Sequence, residues 1–125
     1  MRARAAGWLV AGLAMVWGGA LAASLSTSLK NFYAQNEVVK QCAQDAQLTA
    51  ADAELAGAAI AKIEAHYLQR DASIDKERVL KAAVADKNEG LRIATRGSKS
   101  DLRPYCRLSL KELLEKAKEI DAAKR

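Results

Sequence analysis

The stretch SDLRPYCRLSLKELLEKAKEI, residues 100–120, decides the fold that we predict for this chain. Its apolar residues recur at steps of three and four, which is the spacing of one helix face: Leu102, Cys106, Leu110, Leu113, Ala117 and Ile120. Pro104, the single proline of the chain, lies near the start of the stretch, where a missing amide hydrogen does least harm. The stretch therefore predicts an amphipathic helix with a cysteine near the start of its apolar face.

The chain has 2 cysteines, so the intramolecular partner open to Cys106 is Cys42. An exported chain with two cysteines usually forms one bridge between them. Two free thiols, a metal-binding pair and an intermolecular bridge are the alternatives. The wide separation and the lack of a CxxC motif give no support to a thioredoxin-type redox site or a zinc ribbon. We predict a Cys42–Cys106 disulfide that ties the first helix to the last.

The first 22 residues have the pattern of a Sec-type signal peptide. Two arginines near the start precede an apolar run that ends in small residues, and cleavage is expected after Ala22 or Ala23. An uncleaved membrane anchor is the alternative, because the apolar run is just long enough to span a bilayer. With the leader 1–22 removed, residues 23–125 are expected to form a single helical domain.

Two further helices are indicated between the leader and the middle of the chain. A helical pattern runs from Leu29 to Cys42, and a second helix starts at Thr49, which resembles a capping box with Asp52. The second helix has an apolar series at steps of four, with Ala56 and Ile60 alongside, and we expect this face to be buried: Leu55, Ala59, Ile63 and Tyr67. Gly57 lies inside this helix, where we expect it to allow a second helix to approach closely.

A third helix is expected to begin with Asp75 or Ser73 as its N-cap. Gly90 is ambiguous, because it fits either a left-handed C-cap or a position inside the helix. We favour continuation to about Arg96, since the apolar stripe resumes in phase after Gly90. The short polar turns between the helices imply antiparallel neighbours. The prediction is an all-α fold, a small up-and-down bundle of about four helices, with one disulfide between the first and last.

Catalytic residues are sparse. The single histidine, His66, has no second histidine with which to form an ordinary metal site. The chain has no GxSxG turn, no glycine-rich phosphate loop and no DxDxDG calcium loop. We therefore predict that the protein is not an enzyme and holds no cofactor or metal. An enzyme built around His66 is kept as an alternative for testing.

Charge is distributed unevenly along the chain, which has 20 basic and 15 acidic residues. Residues 31–69 are mainly acidic, whereas residues 87–111 are mainly basic. The basic residues repeat at steps of three and four on either side of a turn at Gly97, so that each set would line one side of its helix. They are the candidate anion- or partner-binding residues: Arg92, Arg96, Lys99, Arg103, Arg107 and Lys111. A solvated face that pairs with the acidic half of the chain is the alternative.

These features predict an exported, non-catalytic binding or accessory protein of the cell envelope, periplasmic or secreted. We expect it to bind a protein partner, as a chaperone, an inhibitor or an accessory subunit. The alternative is a peripheral binder of an anionic envelope surface, phospholipid or lipopolysaccharide headgroups, through residues 87–111. Nucleic acid is not expected as a partner, because the leader directs the chain away from it and no aromatic platform accompanies the charge. The sequence does not indicate an oligomeric state.

Overall fold

Four helices make up the computed structural model, which describes residues 25–96 and 102–124. We number them α1 (25–44), α2 (Ala50–Arg70), α3 (Lys76–Ala94) and α4 (Leu102–Ala123). Neither described segment contains a β-strand, and the all-α prediction is confirmed. The predicted signal peptide, the turn at Gly97 and the candidate residue Lys99 lie outside the described residues.

The last helix is covalently tied to the first. Cys42, near the end of α1, forms a disulfide with Cys106, near the start of α4, and their Cα atoms are 6.1 Å apart. That separation lies within the range of native disulfides. Gln35, two turns before Cys42 in α1, donates a hydrogen bond from its side-chain amide to Glu112, which follows Cys106 in α4. These two contacts show that α4 runs antiparallel to α1, and the predicted bridge is confirmed.

The other helices complete an up-and-down arrangement around α1. The Tyr33 hydroxyl donates to Glu64 of α2, and Lys30 forms an ion pair with Asp86 of α3. Short turns connect α1 to α2 and α2 to α3, so successive helices reverse direction. It follows that α2 and α4 run parallel, and they pack along each other.

The first helix is the centre of the bundle. Between residues 25 and 43 the exposed side chains are those of Thr27, Asn31 and Lys40. Its buried residues join those of α2 and α4 in one core: Leu29, Tyr33, Val38, Val39 and Cys42 of α1, Ala56, Ala59, Ile63 and Tyr67 of α2, and Leu102, Cys106, Leu113, Ala117 and Ile120 of α4. Apart from the two tyrosines, small and medium side chains fill this core.

The third helix is peripheral. It buries Val79 and Ala83 within its 19 residues, and it makes little contact with α2 or α4. Its main attachment is therefore to α1, where open grooves remain beside Val79. One of these grooves is lined from α1 by Ser26, Thr27 and Lys30.

Local hydrogen bonds explain where α2 and α3 begin. The Asp52 amide donates to Thr49 Oγ1 over 3.1 Å, and the Thr49 amide donates to Asp52 Oδ2 over 3.0 Å. The predicted capping box is therefore present, with aspartate in the place of the usual glutamate. Asp75 caps α3 by accepting from the Arg78 amide, while Ser73 bonds Asp71 in the preceding turn.

The two helical glycines behave differently. Gly90 lies inside α3, which continues to Ala94, so the favoured continuation is confirmed. A Cβ atom at Gly90 would lie 2.5 Å from the hydroxyl oxygen of Tyr105, and the glycine makes room for that ring. The interpretation of Gly57 is wrong, because a Cβ atom there would meet no atom within 4 Å and the residue is exposed.

Candidate functional site

The predicted basic residues form two stripes on the ends of two helices. Arg92 lies in the last turn of α3, whereas Arg96 lies two residues beyond the end of that helix, so the predicted helical spacing does not extend to it. The α4 residues lie in the first half of their helix: Arg103, Arg107 and Lys111. All five side chains are exposed. Both stripes lie at the same end of the bundle, where Gly90 of α3 is next to Tyr105 of α4.

The two stripes point away from each other. Gly90 and Tyr105 face each other where α3 meets α4. At about 100° per residue, Arg92 lies about 200° round α3 from Gly90, and Arg107 lies about 200° round α4 from Tyr105. The structure therefore does not gather the stripes into one patch but places them on separate outer surfaces.

Some of these cations already have acidic neighbours. Arg92 forms an ion pair with Glu89 on its own helix, with 2.6 Å between Nη2 and Oε1. The hydrogen bond from Arg92 lowers the pKa of Glu89. On α4, Lys111 Nζ lies 3.9 Å from Glu115 Oε1. Both pairs are exposed, and such pairs contribute little to stability, so they can exchange for other partners.

Opposite charges of α2 and α4 lie near each other at two places, one of which is an ion pair. Lys62 Nζ lies 2.6 Å from Asp121 Oδ2. Nearer the start of both helices, Arg107 is close enough to Asp52 to act on its ionisation. The pKa of Asp52 is lowered by hydrogen bonding to the backbone and side chain of Thr49, and then by the positive charge of Arg107.

By helical register, leucines lie between these two places. Leu55 lies three residues after Asp52 and seven before Lys62, which puts it on the same side of α2 as both. On α4, Leu110 lies three residues after Arg107 and Leu114 lies seven residues before Asp121, so both share a side of that helix with them. We call Leu55, Leu110 and Leu114 the α2–α4 seam.

The seam is accessible from outside the bundle. Leu55 is 52% exposed, whereas Leu110 and Leu114 are partly buried. The expectation that Leu55 is buried is wrong, because the next residue, Ala56, points into the core in its place. The other members of the predicted series are buried: Ala59, Ile63 and Tyr67. A step of four drifts about 40° round the helix, which carries Leu55 off the buried face.

Different side chains border the seam on each helix. On α4 the exposed cations Arg107, Lys111 and Lys118 lie at steps of four and seven, on the same face as Leu114. On α2 the exposed neighbours of Leu55 at steps of three and four are Ala51 and Ala58. The seam is therefore an apolar strip with a basic border on one side and a low, alanine-lined border on the other.

His66 lies at the opposite end of α2, among cations. Its ring meets the edge of the Tyr67 ring at 5.5 Å between centroids. The pKa of His66 is lowered by partial burial and then by the charges of Arg70, Lys116 and Lys124. This environment favours the neutral imidazole.

A hydrogen-bonded carboxylate that the sequence did not reveal joins three helices. Glu64 of α2 accepts from the Tyr33 hydroxyl over 2.7 Å and pairs with Lys76 of α3 over 3.0 Å. Burial, followed by the hydrogen bond to Glu64 and its negative charge, raises the pKa of Tyr33. Burial alone would raise the pKa of Glu64, but its bonds to Tyr33 and Lys76 outweigh that effect and lower it.

Comparison of the chain with protein-family models, with curated proteins and with solved structures found no match. Within residues 25–96 and 102–124, no helix combines the length and the apolar character needed to span a membrane. The same two segments contain no group of three or more His, Cys, Asp or Glu side chains placed to hold a metal ion.

Proposed function

We propose that the protein is an exported, non-catalytic binding protein of the cell envelope that acts on a protein partner as a chaperone, an inhibitor or an accessory subunit. The disulfide is consistent with a location outside the cytoplasm, because such bonds persist in oxidising compartments. Among the oxidising compartments outside the cytoplasm, we propose the periplasm.

Exposed apolar side chains on the outer helices carry the proposal. Leu55 of α2, Ile93 of α3 and Leu108 of α4 are 52%, 53% and 52% exposed. Because about half of each side chain is already buried, a partner that covered the rest would gain about 0.8–1.5 kcal/mol from each. In the free protein these three side chains keep apolar surface in contact with water, and burial of that surface by a partner would stabilise the complex.

Capture from an envelope extract tests this function. The bait is the full chain, expressed with its leader and purified in the oxidised form, and the comparison is a triple variant with Leu55→Ser, Ile93→Ser and Leu108→Ser. We expect a stoichiometric protein partner that cross-links to the wild type and is lost from the variant. Because all three side chains are exposed, the variant should retain the helical signal in circular dichroism. Equal capture by both baits, or capture by neither, would remove the proposal.

An anionic envelope surface is the second candidate. Exposed Arg96, Arg103 and Arg107 favour it, because no carboxylate of the described segments lies within the 4.0 Å that defines an ion pair with them. Cosedimentation with vesicles of phosphatidylglycerol or of lipopolysaccharide should then fall steeply as salt rises and with Arg103→Glu. Binding that is insensitive to salt, or equal to that on neutral phosphatidylcholine vesicles, would reject this candidate.

A further inference from the structure

We infer that the α2–α4 seam is the site at which this protein binds its partner, and that the bound segment is an amphipathic helix with acidic residues beside its apolar stripe. The inference rests on the proposed function and specifies both the surface and the chemistry of the partner.

The parallel course of the two helices provides the groove. Side chains along two packed helices leave a shallow channel between them, into which the ridge of a third helix fits. Here Leu55 is exposed on the α2 side of the channel, and Leu110 and Leu114 are partly buried on the α4 side. The Lys62–Asp121 pair closes the channel two turns further on.

The α2 border allows a close approach. Ala51 and Ala58 flank Leu55 with short side chains, so the backbone of a docking helix can lie near α2 without displacing long side chains. Leu55 then projects between the turns of the incoming helix as its central apolar contact. Docking would remove the exposed apolar surface of Leu55 from water, whereas charged pairs at the exposed border contribute little affinity.

The α4 border determines the charge of the occupant. The cations Arg107, Lys111 and Lys118 lie on one side of Leu114, and all three are exposed. Acidic residues beside the apolar stripe of the incoming helix would meet these cations, which steers association and fixes the orientation of the docked helix. A second copy of the chain would bring the same three cations to the contact, so charge disfavours it as the occupant.

Selection from a peptide library tests the inference. The library consists of helical peptides about as long as α2, with a fixed leucine stripe and randomised flanking positions, and the target is the oxidised full chain. We expect the selected peptides to carry Glu and Asp at the flanks. Leu55→Ser should weaken their binding about tenfold. Leu80→Ser is the control: Leu80 is also an exposed leucine, at 36%, but it lies on α3, which makes little contact with α2 or α4, and its variant should bind within about twofold of the wild type.

A charge-reversal pair tests the border separately. Arg107→Glu should weaken the binding of the acidic peptides and strengthen the binding of versions with Lys at the flanks. Arg92→Glu, on the outer face of α3, should change neither affinity. Peptides that bind wild type and Leu55→Ser equally would overturn the seam as the site, and flanks without acidic enrichment would overturn the partner chemistry. Dimer formation that Leu55→Ser abolishes would replace the partner helix by a second copy. If the extract still yields a partner while the seam variants bind normally, the inference fails and the proposed function stands.

Discussion

The hydroxyl of Tyr33 donates a 2.7 Å hydrogen bond to Glu64 Oε2, and this bond crosses from the central helix to α2. The other carboxylate oxygen, Oε1, lies 3.0 Å from Lys76 Nζ at the start of α3. One carboxylate thus connects the peripheral α3 to the two helices beneath it. Because α3 buries little apolar surface, its attachment depends more on such polar contacts than that of α2 or α4 does.

The Glu64 connection predicts a loss of stability in acid. The pKa of Glu64 is lowered in the folded protein, so its contribution is present above the unfolded-state value near 4.5 and is lost as the pH falls through the folded value. In urea titrations, Glu64→Gln should be less stable than the wild type at pH 7 and should lose less stability below about pH 5. Tyr33→Phe should show a smaller change in the same direction. Parallel stability profiles for wild type and Glu64→Gln would contradict the assignment.

The environment of His66 predicts a second loss of stability, at a pH closer to neutral. Its pKa lies below the ordinary 6.5 in the folded protein, so the unfolded chain takes up the proton first and stability falls as the pH drops through this range. His66→Asn should flatten that part of the profile, as measured by urea unfolding between pH 8 and pH 5. Lys116→Gln removes one of the neighbouring charges and should reduce the decline without abolishing it. An unchanged slope in His66→Asn would show that another group is responsible.

The disulfide is expected to be the largest single contribution to stability. It spans a sequence separation of 64, for which the chain-entropy model gives about 4 kcal/mol. The double variant Cys42→Ala and Cys106→Ala should lose about that much free energy of unfolding, and reduction of the wild type should have a similar effect. A loss below about 1 kcal/mol in both experiments would mean that α1 and α4 pack adequately without the bond.

Gly57→Ala should stabilise the protein. The residue lies in the interior of α2, and a Cβ atom there meets nothing within 4 Å. Replacement by alanine should add about 1 kcal/mol to the free energy of unfolding, because alanine loses less backbone entropy in a helix.

Gly90→Ala is the matched comparison in α3. The new Cβ atom would lie 2.5 Å from the Tyr105 hydroxyl oxygen, so the ring must shift and the gain should be smaller than at Gly57 or negative. In a Tyr105→Phe background the nearest remaining ring atom is Cζ at 3.6 Å, and Gly90→Ala should recover much of the gain. A double-mutant cycle measured by thermal and urea unfolding gives the coupling directly. Equal gains at both glycines, with no coupling to Tyr105, would contradict the close contact.

Features that depend on near neighbours in the chain, or on a single possible pairing, could be predicted from the sequence. The Thr49 capping box has its partner three residues away, and Cys42 was the single intramolecular partner open to Cys106. The apolar periods predicted four helices, but a step of four drifts about 40° round a helix, and so Leu55 was wrongly assigned to the same buried face as Ala59.

Features that depend on how the helices rotate against each other could not be predicted. The polar residues of α1 gave no sign that this helix is the centre of the bundle, since Asn31 faces solvent while Tyr33 is buried and bonded to a residue 31 positions away. The rotation of α3 and α4 about the Gly90–Tyr105 contact sets Arg92 and Arg107 on separate surfaces. Helical spacing places each stripe on its own helix but carries no information about that rotation.

The Cys42–Cys106 bond turns residues 42–106 into a covalent ring that contains α2, α3 and the turn between them. A protease that cut once in that turn, at residues 71–75, would therefore release nothing. It would leave a two-chain molecule, with α1 and α2 on one chain and α3 and α4 on the other, which runs as a single species until a reductant separates the halves. In an oxidising, protease-rich compartment, this linkage would let the protein survive a nick as a heterodimer of its own fragments.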